Sequence, residues 1–347
     1  MSTVRISWSG TGGCFLAGSH VRILKLPLLL SGEVWPERSG YKEERILPAN
    51  GNSPVAVELI AVLAAVSDGD PQVLTVQEGH ALPSGPFEEG HRSLQAGTRS
   101  WVERQTGHPL GYIEQLYTFA DHDRAGDGRR AISISYLGLT RMTERQVGRR
   151  NWYAYFPWED RREMGGVALG AEIARRLETW IAGADGMLRQ QRTLRRDAAF
   201  GTGGEKWNEE LVLQRYELLY EAGLVAESRA PTAGRVPGMS MLYDHRRILA
   251  TAIARLRAKI KYRPVVFELM PDAFTLGQLQ VAMEALAGHR LHKQNFRRQM
   301  EQQELVEETG AMAAQTGGRP AKLYRFRGAV MRERSMAGSK LPLARVP

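Results

Sequence analysis

Cysteine is nearly missing from this chain: Cys14 is the one thiol in 347 residues. A lone thiol closes no internal disulfide and builds no thiolate zinc cage, which excludes a stapled secreted scaffold and a zinc-finger module. Long hydrophobic runs are missing too. The apolar run at 26–30 is far shorter than the roughly 20 residues that cross a bilayer. The residues before it are polar and glycine-rich, and no small-residue cleavage site follows, so a signal peptide is not indicated. The expectation is a cytoplasmic protein with no membrane partner. Ser9, Gly10, Thr11, Gly12 and Gly13 form a turn-rich patch that lacks the Lys-Ser/Thr ending of a phosphate-binding loop. Acidic charge is also short. Asp and Glu number 38 against 47 Lys and Arg, a net charge of +9 that favours a polyanionic partner.

What is present is globular in balance, with 43% hydrophobic and 24% charged residues, and the length suits two or three domains. Residues 1–50 read as an N-terminal extension, with 21–30 as a candidate added strand and 39–50 as a loop. The segment 55–66, VAVELIAVLAAV, is almost continuously apolar and suits a buried strand. A helix is the competing reading, because Ala, Leu and Glu fill its middle. A Ser-Asp-Gly-Asp turn at 67–70 leads to a second strand at 71–76.

Residues 82–119 are the stretch around which the chain is organised. A Gly/Pro loop passes into a helix at 94–105, which stops at Thr106 and Gly107, since glycine suits a left-handed cap. The run YIEQLYTF at 112–119 follows as a strand. Beyond it lie a charged loop at 121–130 and a strand at 131–139, with Tyr136 expected near a surface. Asp121, His122 and Asp123 read as solvated loop residues, because adjacent side chains rarely converge on one ion.

Loop, helix, glycine and strand in this order resemble the Nudix motif. The closing YIEQLYTF resembles one branch of that family, the Nudix-related transcriptional regulators of NAD metabolism. The catalytic part of the motif is altered. Where the family carries Arg-Glu, this chain has Ser100 and Trp101; where it carries Glu-Glu, it has Arg104 and Gln105; the preceding loop carboxylate falls at Arg92. Hard divalent ions need oxygen ligands, and Glu88, Glu89 and Glu103 are out of register. The expectation is therefore no metal, no catalytic residue and no cofactor. Arginine instead suits a pyrophosphate. The resemblance implies a silent nucleotide sensor whose effector is ADP-ribose, NAD or another adenine nucleotide. Arg92, Arg99, Arg104, Glu114 and Gln115 are its candidate effector-binding residues.

Residues 150–240 depart from a minimal Nudix domain and read as a helical insertion, with amphipathic helices at 171–181 and 207–222 and a basic segment at 189–196. Trp152, Tyr153, Tyr155, Phe156 and Trp158 read as a small core or self-contact surface more readily than as a base-stacking site. The segment 243–259 resembles the last helix of the family's Nudix domain. Thr275 caps a further helix that ends at Gly288, and a second helix at 292–303 points Phe296 and Met300 one way. Residues 305–326 suit a two-stranded wing. The segments FTLGQLQ, NFRRQMEQQELVEETG and GGRPAKLYRFR also resemble the C-terminal winged helix of the same regulators. Residues 261–347 hold 14 Lys/Arg against 8 Asp/Glu, which concentrates positive charge where DNA contact needs it.

The combined expectation is an α+β chain. A mixed-sheet, Nudix-like α/β/α sandwich at 51–260, with its insertion at 150–240, precedes a winged helix-turn-helix at 261–330 and a flexible tail at 331–347. It would be a nucleotide-responsive DNA-binding repressor of NAD synthesis or salvage genes, working as a homodimer on a double-stranded operator. Gln294, Asn295 and Arg298 are candidate base-edge contacts, and Lys293, Arg297, Arg319 and Lys322 candidate phosphate or wing contacts. The competing readings are a metal-dependent Nudix pyrophosphatase acting on ADP-ribose and a non-enzymatic protein-interaction scaffold.

Overall fold

The computed structural model describes residues 55–107, 110–120, 131–141, 148–230, 232, 234–313 and 320–328. The candidate strand at 21–30, the acidic triplet at 121–123, Arg319 and the tail at 331–347 lie outside the described residues. The long apolar run is a strand, β1 (Ala56–Ser67), and not a helix. Asp68 and Gly69 turn it back, both at positive φ, into β2 (Asp70–Leu74). β3 (Ser84–Pro86) pairs with the first half of β1. Helix α1 (Leu94–Thr106) and strands β4 (Tyr112–Phe119), β5 (Ala131–Leu139) and β6 (Arg149–Asn151) follow. The sheet order is β4-β5-β1-β2-β6, with β3 beside β1. β1 and β5 run parallel and the other pairs antiparallel, which makes the sheet mixed.

Continuity of apolar residues along β1 follows from burial on both faces. Ile60, Val62 and Ala64 join the main core, while Ala61 and Leu63 pack with Leu74 and Val102 of α1 on the other side. Leu59 forms a third cluster with Ile134 and Tyr136. Tyr136, expected near a surface, is only 2% exposed. Its place in the strand next to β1 puts the ring under α1's side of the sheet, and strand alternation alone could not tell a covered face from a wet one.

The 150–240 region is helical: α2 (Met164–Ala182), α3 (Gly186–Phe200) and α4 (Val212–Glu221) precede α5 (His245–Tyr262). The basic segment is thus a helix, α3. The expected helix at 207–222 begins later, at Val212, because Asn208 accepts from the Glu210 N–H and holds a turn there. The aromatic run at 152–158 is core: Trp152, Tyr155, Phe156 and Trp158 are each at most 1% exposed.

The chain ends, within the described residues, in α6 (Leu276–Ala287), α7 (Lys293–Gln303), β7 (Val306–Ala313) and β8 (Ala321–Phe326). Thr275 caps α6 through a reciprocal capping box with Gln278, and Gly288 closes it at φ +77. β7 and β8 form an antiparallel ribbon with a bulge around Gly310, and Phe274 adds a bridge to Tyr324. Phe296 and Met300 of α7 belong to the same core as Leu279 of α6 and Ile248 of α5. The helix-turn-helix is therefore packed against the sheet domain.

Candidate functional site

Helix α1 is set by local chemistry at both ends. The Ser93 hydroxyl accepts from the Ala96 N–H, and Gly107 takes the left-handed cap. Its placement depends on the residues that depart from the Nudix motif. The Trp101 indole N–H donates to the Pro86 carbonyl at 2.9 Å, and the ring lies over Gly85, where any Cβ would strike it. Gln105 accepts from the Ser84 N–H at 3.0 Å and donates to the Ser84 carbonyl at 2.8 Å. Side chains in the positions of metal-binding carboxylates thus fasten α1 to β3. Glu88 sits beside His91, and Glu103 is exposed. Among the described residues no group of three His, Cys, Asp or Glu is placed to hold a metal ion. Trp101 and Gln105 are engaged with β3 and offer no carboxylate to a divalent cation.

The candidate effector residues occupy different settings. Arg92 is exposed in the loop just ahead of α1. Arg104 is exposed, with its guanidinium 4.2 Å from the Trp101 ring centroid and a hydrogen bond to the Ser100 hydroxyl. Arg99 points to the start of β4, donating to the carbonyls of Leu110 and Gly111. Glu114 forms an ion pair with Lys259 of α5, and Gln115 is exposed. Arg99 thus links α1 to β4, while Glu114 links β4 to α5. Lys259 carried no sequence signal, since it lies 145 residues from Glu114.

On α7, Lys293, Gln294, Asn295, Arg297 and Arg298 are all exposed, while Phe296 and Met300 are buried. These exposed positions carry three cations and two amides. The Arg298 guanidinium stands 3.5 Å from Oδ1 of the Asn295 side-chain amide. The wing differs, because its cations among the described residues have acidic partners. Lys322 pairs with Glu308 at 2.8 Å, Arg325 with Glu307 at 2.7 Å, and Arg327 with Glu304 at 3.1 Å. All three pairs are on the surface, where such pairs contribute about 0–1 kcal/mol and yield readily to a better anion.

A buried ionic cluster joins the two regions. Glu159 is fully buried between Arg215 of α4 and Arg257 of α5, at 2.5 and 2.6 Å. Burial alone would raise its carboxyl pKa, but the two guanidinium groups outweigh that and hold it below the ordinary carboxylate range. Arg257 also donates to the Leu286 carbonyl, and the Tyr153 hydroxyl to the Ala285 carbonyl at 2.6 Å, both at the end of α6. The Arg161 N–H donates to the Gly288 carbonyl. A second link runs through Arg162, which bonds Asp160, Asp70 and the Gly69 carbonyl. The end of α6 is thereby tied to the sheet domain and the helical insertion at once.

Comparison with known proteins places residues 266–326 in the family described as the NrtR DNA-binding winged helix domain. The ADPR responsive transcriptional repressor NtrR of Acinetobacter baylyi is 43% identical over 88 residues, 25% of this chain and 35% of that protein. The chain therefore matches about a third of the length of this curated relative. Among solved structures, NrtR of Shewanella oneidensis bound to a 27mer DNA aligns over 80% of this chain and 95% of its own, at 22% identity and a TM-score of 0.46. A MutT/nudix family protein from Enterococcus faecalis aligns over 81% and 90%, at 14% identity and a TM-score of 0.45.

Proposed function

From an NrtR-like chain, in which a Nudix-related sheet domain leads into a winged helix of the NrtR type, we propose a nucleotide-responsive transcriptional regulator. The winged helix at 266–326 carries this reading, through the exposed face of α7. A helix of this kind enters the major groove. There the amides of Gln294 and Asn295 and the guanidinium of Arg298 can meet paired base-edge atoms, while Lys293 and Arg297 meet phosphates. Lys322 reaches phosphate by exchanging Glu308 for it. Two copies bind paired half-sites, as helix-turn-helix proteins commonly do.

The sheet domain supplies the response. Its altered motif favours binding over hydrolysis, and the arginines that flank and cover α1 offer an anion partner without a metal. Arg92 and Arg104 contact the effector's phosphates, and Arg99, Glu114 and Gln115 flank it on the β4 side. The Acinetobacter relative is ADPR responsive, which makes ADP-ribose the first effector to test, followed by NAD. The regulated genes are those of NAD synthesis or salvage, and the direction proposed is repression.

A mobility-shift assay on promoter DNA from beside its own gene, with ADP-ribose, NAD and ATP added separately, tests the reading. The expected result is retention of DNA at moderate salt and a change in that retention with one nucleotide. Absence of retention at low protein and moderate salt removes the regulator. Sustained hydrolysis of ADP-ribose with magnesium or manganese removes the silent sensor and favours the pyrophosphatase.

A further inference from the structure

The turn between α6 and α7 decides how the exposed side chains of α7 are presented. His292, the N-cap residue of α7, makes no side-chain cap, so the helix starts directly from that turn. From the α6 side, side chains satisfy both backbone polar groups of Leu291. Its N–H donates to Oε1 of Glu284 at 3.0 Å, and its carbonyl accepts from Nε2 of Gln280 at 3.0 Å. Nε2 of Gln280 also donates to Glu284 at 2.8 Å, and Arg290 donates to the other Glu284 oxygen at 3.2 Å. Glu284 is only 5% exposed. Burial alone would raise its carboxyl pKa, but the bonds from Gln280, the Leu291 N–H and Arg290 outweigh that and hold it below the ordinary carboxylate range. A buried carboxylate with this many donors is fixed in place, and so is the backbone it holds.

The same turn is also bonded to the segment that leads into α2. The Arg161 N–H donates to the Gly288 carbonyl at 2.7 Å, and Arg290 donates through its second terminal nitrogen to Glu163 at 2.6 Å. Arg290 and Glu163 border a cleft of about 350 Å³ between the β1–β2 turn and α6. Arg290 therefore bridges a buried carboxylate of the winged helix and a surface carboxylate of the sheet-domain side. The side chains of Arg290 and Glu163 are 59% and 76% exposed. Exposed pairs contribute little to folding, so changing this one alters the pose of the turn without opening the core.

We propose that Glu284 and Arg290 are positioning residues for the recognition helix: Glu284 fixes the α6–α7 turn, and Arg290 ties that turn to Glu163, so that α7 meets DNA in a pose set by the segment ahead of α2. The DNA arm of the test rests on the regulatory reading, and a second arm needs no DNA. In hydrogen exchange on the full chain without DNA, E163Q and R290Q should each speed exchange of the amides at 289–295 by about threefold or more and leave those at 276–287 unchanged. E284Q should do so more strongly; where it folds poorly, the two surface variants carry the test. With DNA, a direct phosphate contact by Arg290 and a positioning role differ in sign. If Arg290 held a phosphate, E163Q would free it, tighten binding to every sequence and steepen the salt slope by up to about one. As a positioning residue it gives the opposite result: E163Q weakens promoter binding about threefold with random-sequence affinity and salt slope unchanged, and adds nothing in an R290Q background. Unchanged exchange at 289–295 in both surface variants, or tighter and more salt-dependent binding in E163Q, overturns the proposal. A wild-type chain that retains no DNA removes the regulatory reading, and the exchange result then decides the positioning role by itself.

Discussion

Trp101 and Gln105 hold the backbone of 84–86, where a hydrolytic Nudix helix would hold a metal. Removing the indole opens a cavity over Gly85 and leaves the Pro86 carbonyl without its donor, so W101A should lose about 3–5 kcal/mol in urea unfolding. Calorimetric titration with magnesium or manganese should give no tight site at α1, and a tight site lost on changing Glu88, Glu89 or Glu103 would falsify that expectation. R92A or R104A should weaken the nucleotide response and leave DNA affinity without effector intact; a normal response in both variants rejects their roles. On α7, R298A should lose about 1–3 kcal/mol of discrimination at one operator position. K322A should weaken all sequences alike and lower the salt slope by about one. E308Q, which frees Lys322, should strengthen binding to every sequence. A panel of singly substituted operators at several salt concentrations separates these outcomes, and unchanged slopes in K322A and E308Q would remove Lys322 from the interface.

Elements differ in how far sequence reaches them. The ends of α1 and α6 were legible because caps are local chemistry: Gly107 and Gly288 have the expected left-handed backbone, and Thr275 closes its capping box with a residue three positions on. Strands β4 and β5 and the wing were legible from their runs, whereas the run of β1 suits a helix as well. What decides where these elements sit was not legible. Glu159 meets Arg215 and Arg257 across 56 and 98 residues, and no periodicity signals such a pairing. E159Q should destabilise by about 3–5 kcal/mol, since it leaves two buried guanidinium groups without their carboxylate. G288A should add strain at φ +77 and press a methyl group toward Arg257 and the Tyr153 hydroxyl, costing more than about 1 kcal/mol. Denaturant melts measure both, and near-wild-type stability in E159Q would show that the cluster is not what fastens α6.

For the whole molecule, acid is the clearest stress. His245 is buried at the start of α5, and its Nδ1 accepts from the Leu82 N–H at 2.8 Å. Burial pushes its pKa down to about 4. An unfolded histidine titrates near 6.5, so below that pH the unfolded chain takes up a proton that the folded one refuses. Stability should therefore be unaffected by this group above about pH 7 and fall by about 3 kcal/mol as pH drops from about 6.5 to about 4. Glu159 adds to the loss at lower pH, because its folded pKa is depressed and protonation in the unfolded chain comes first. H245N keeps an acceptor for Leu82 and should flatten the slope between pH 6.5 and 4. Parallel slopes in the two proteins would assign the acid sensitivity elsewhere.

By itself the sequence determined the helix and strand around the altered motif and the two helices and ribbon at 275–326, because each is written in residues close together along the chain. Only the tertiary structure decided that Tyr136 and the 152–158 aromatics are core, that Gln105 and Trp101 clasp β3, that Lys259 answers Glu114, and that the wing's cations face Glu304, Glu307 and Glu308. The reason is range. Caps, turns and strand alternation are fixed by a few neighbouring residues, whereas burial and charge pairing depend on which distant segments the fold brings within a few ångströms.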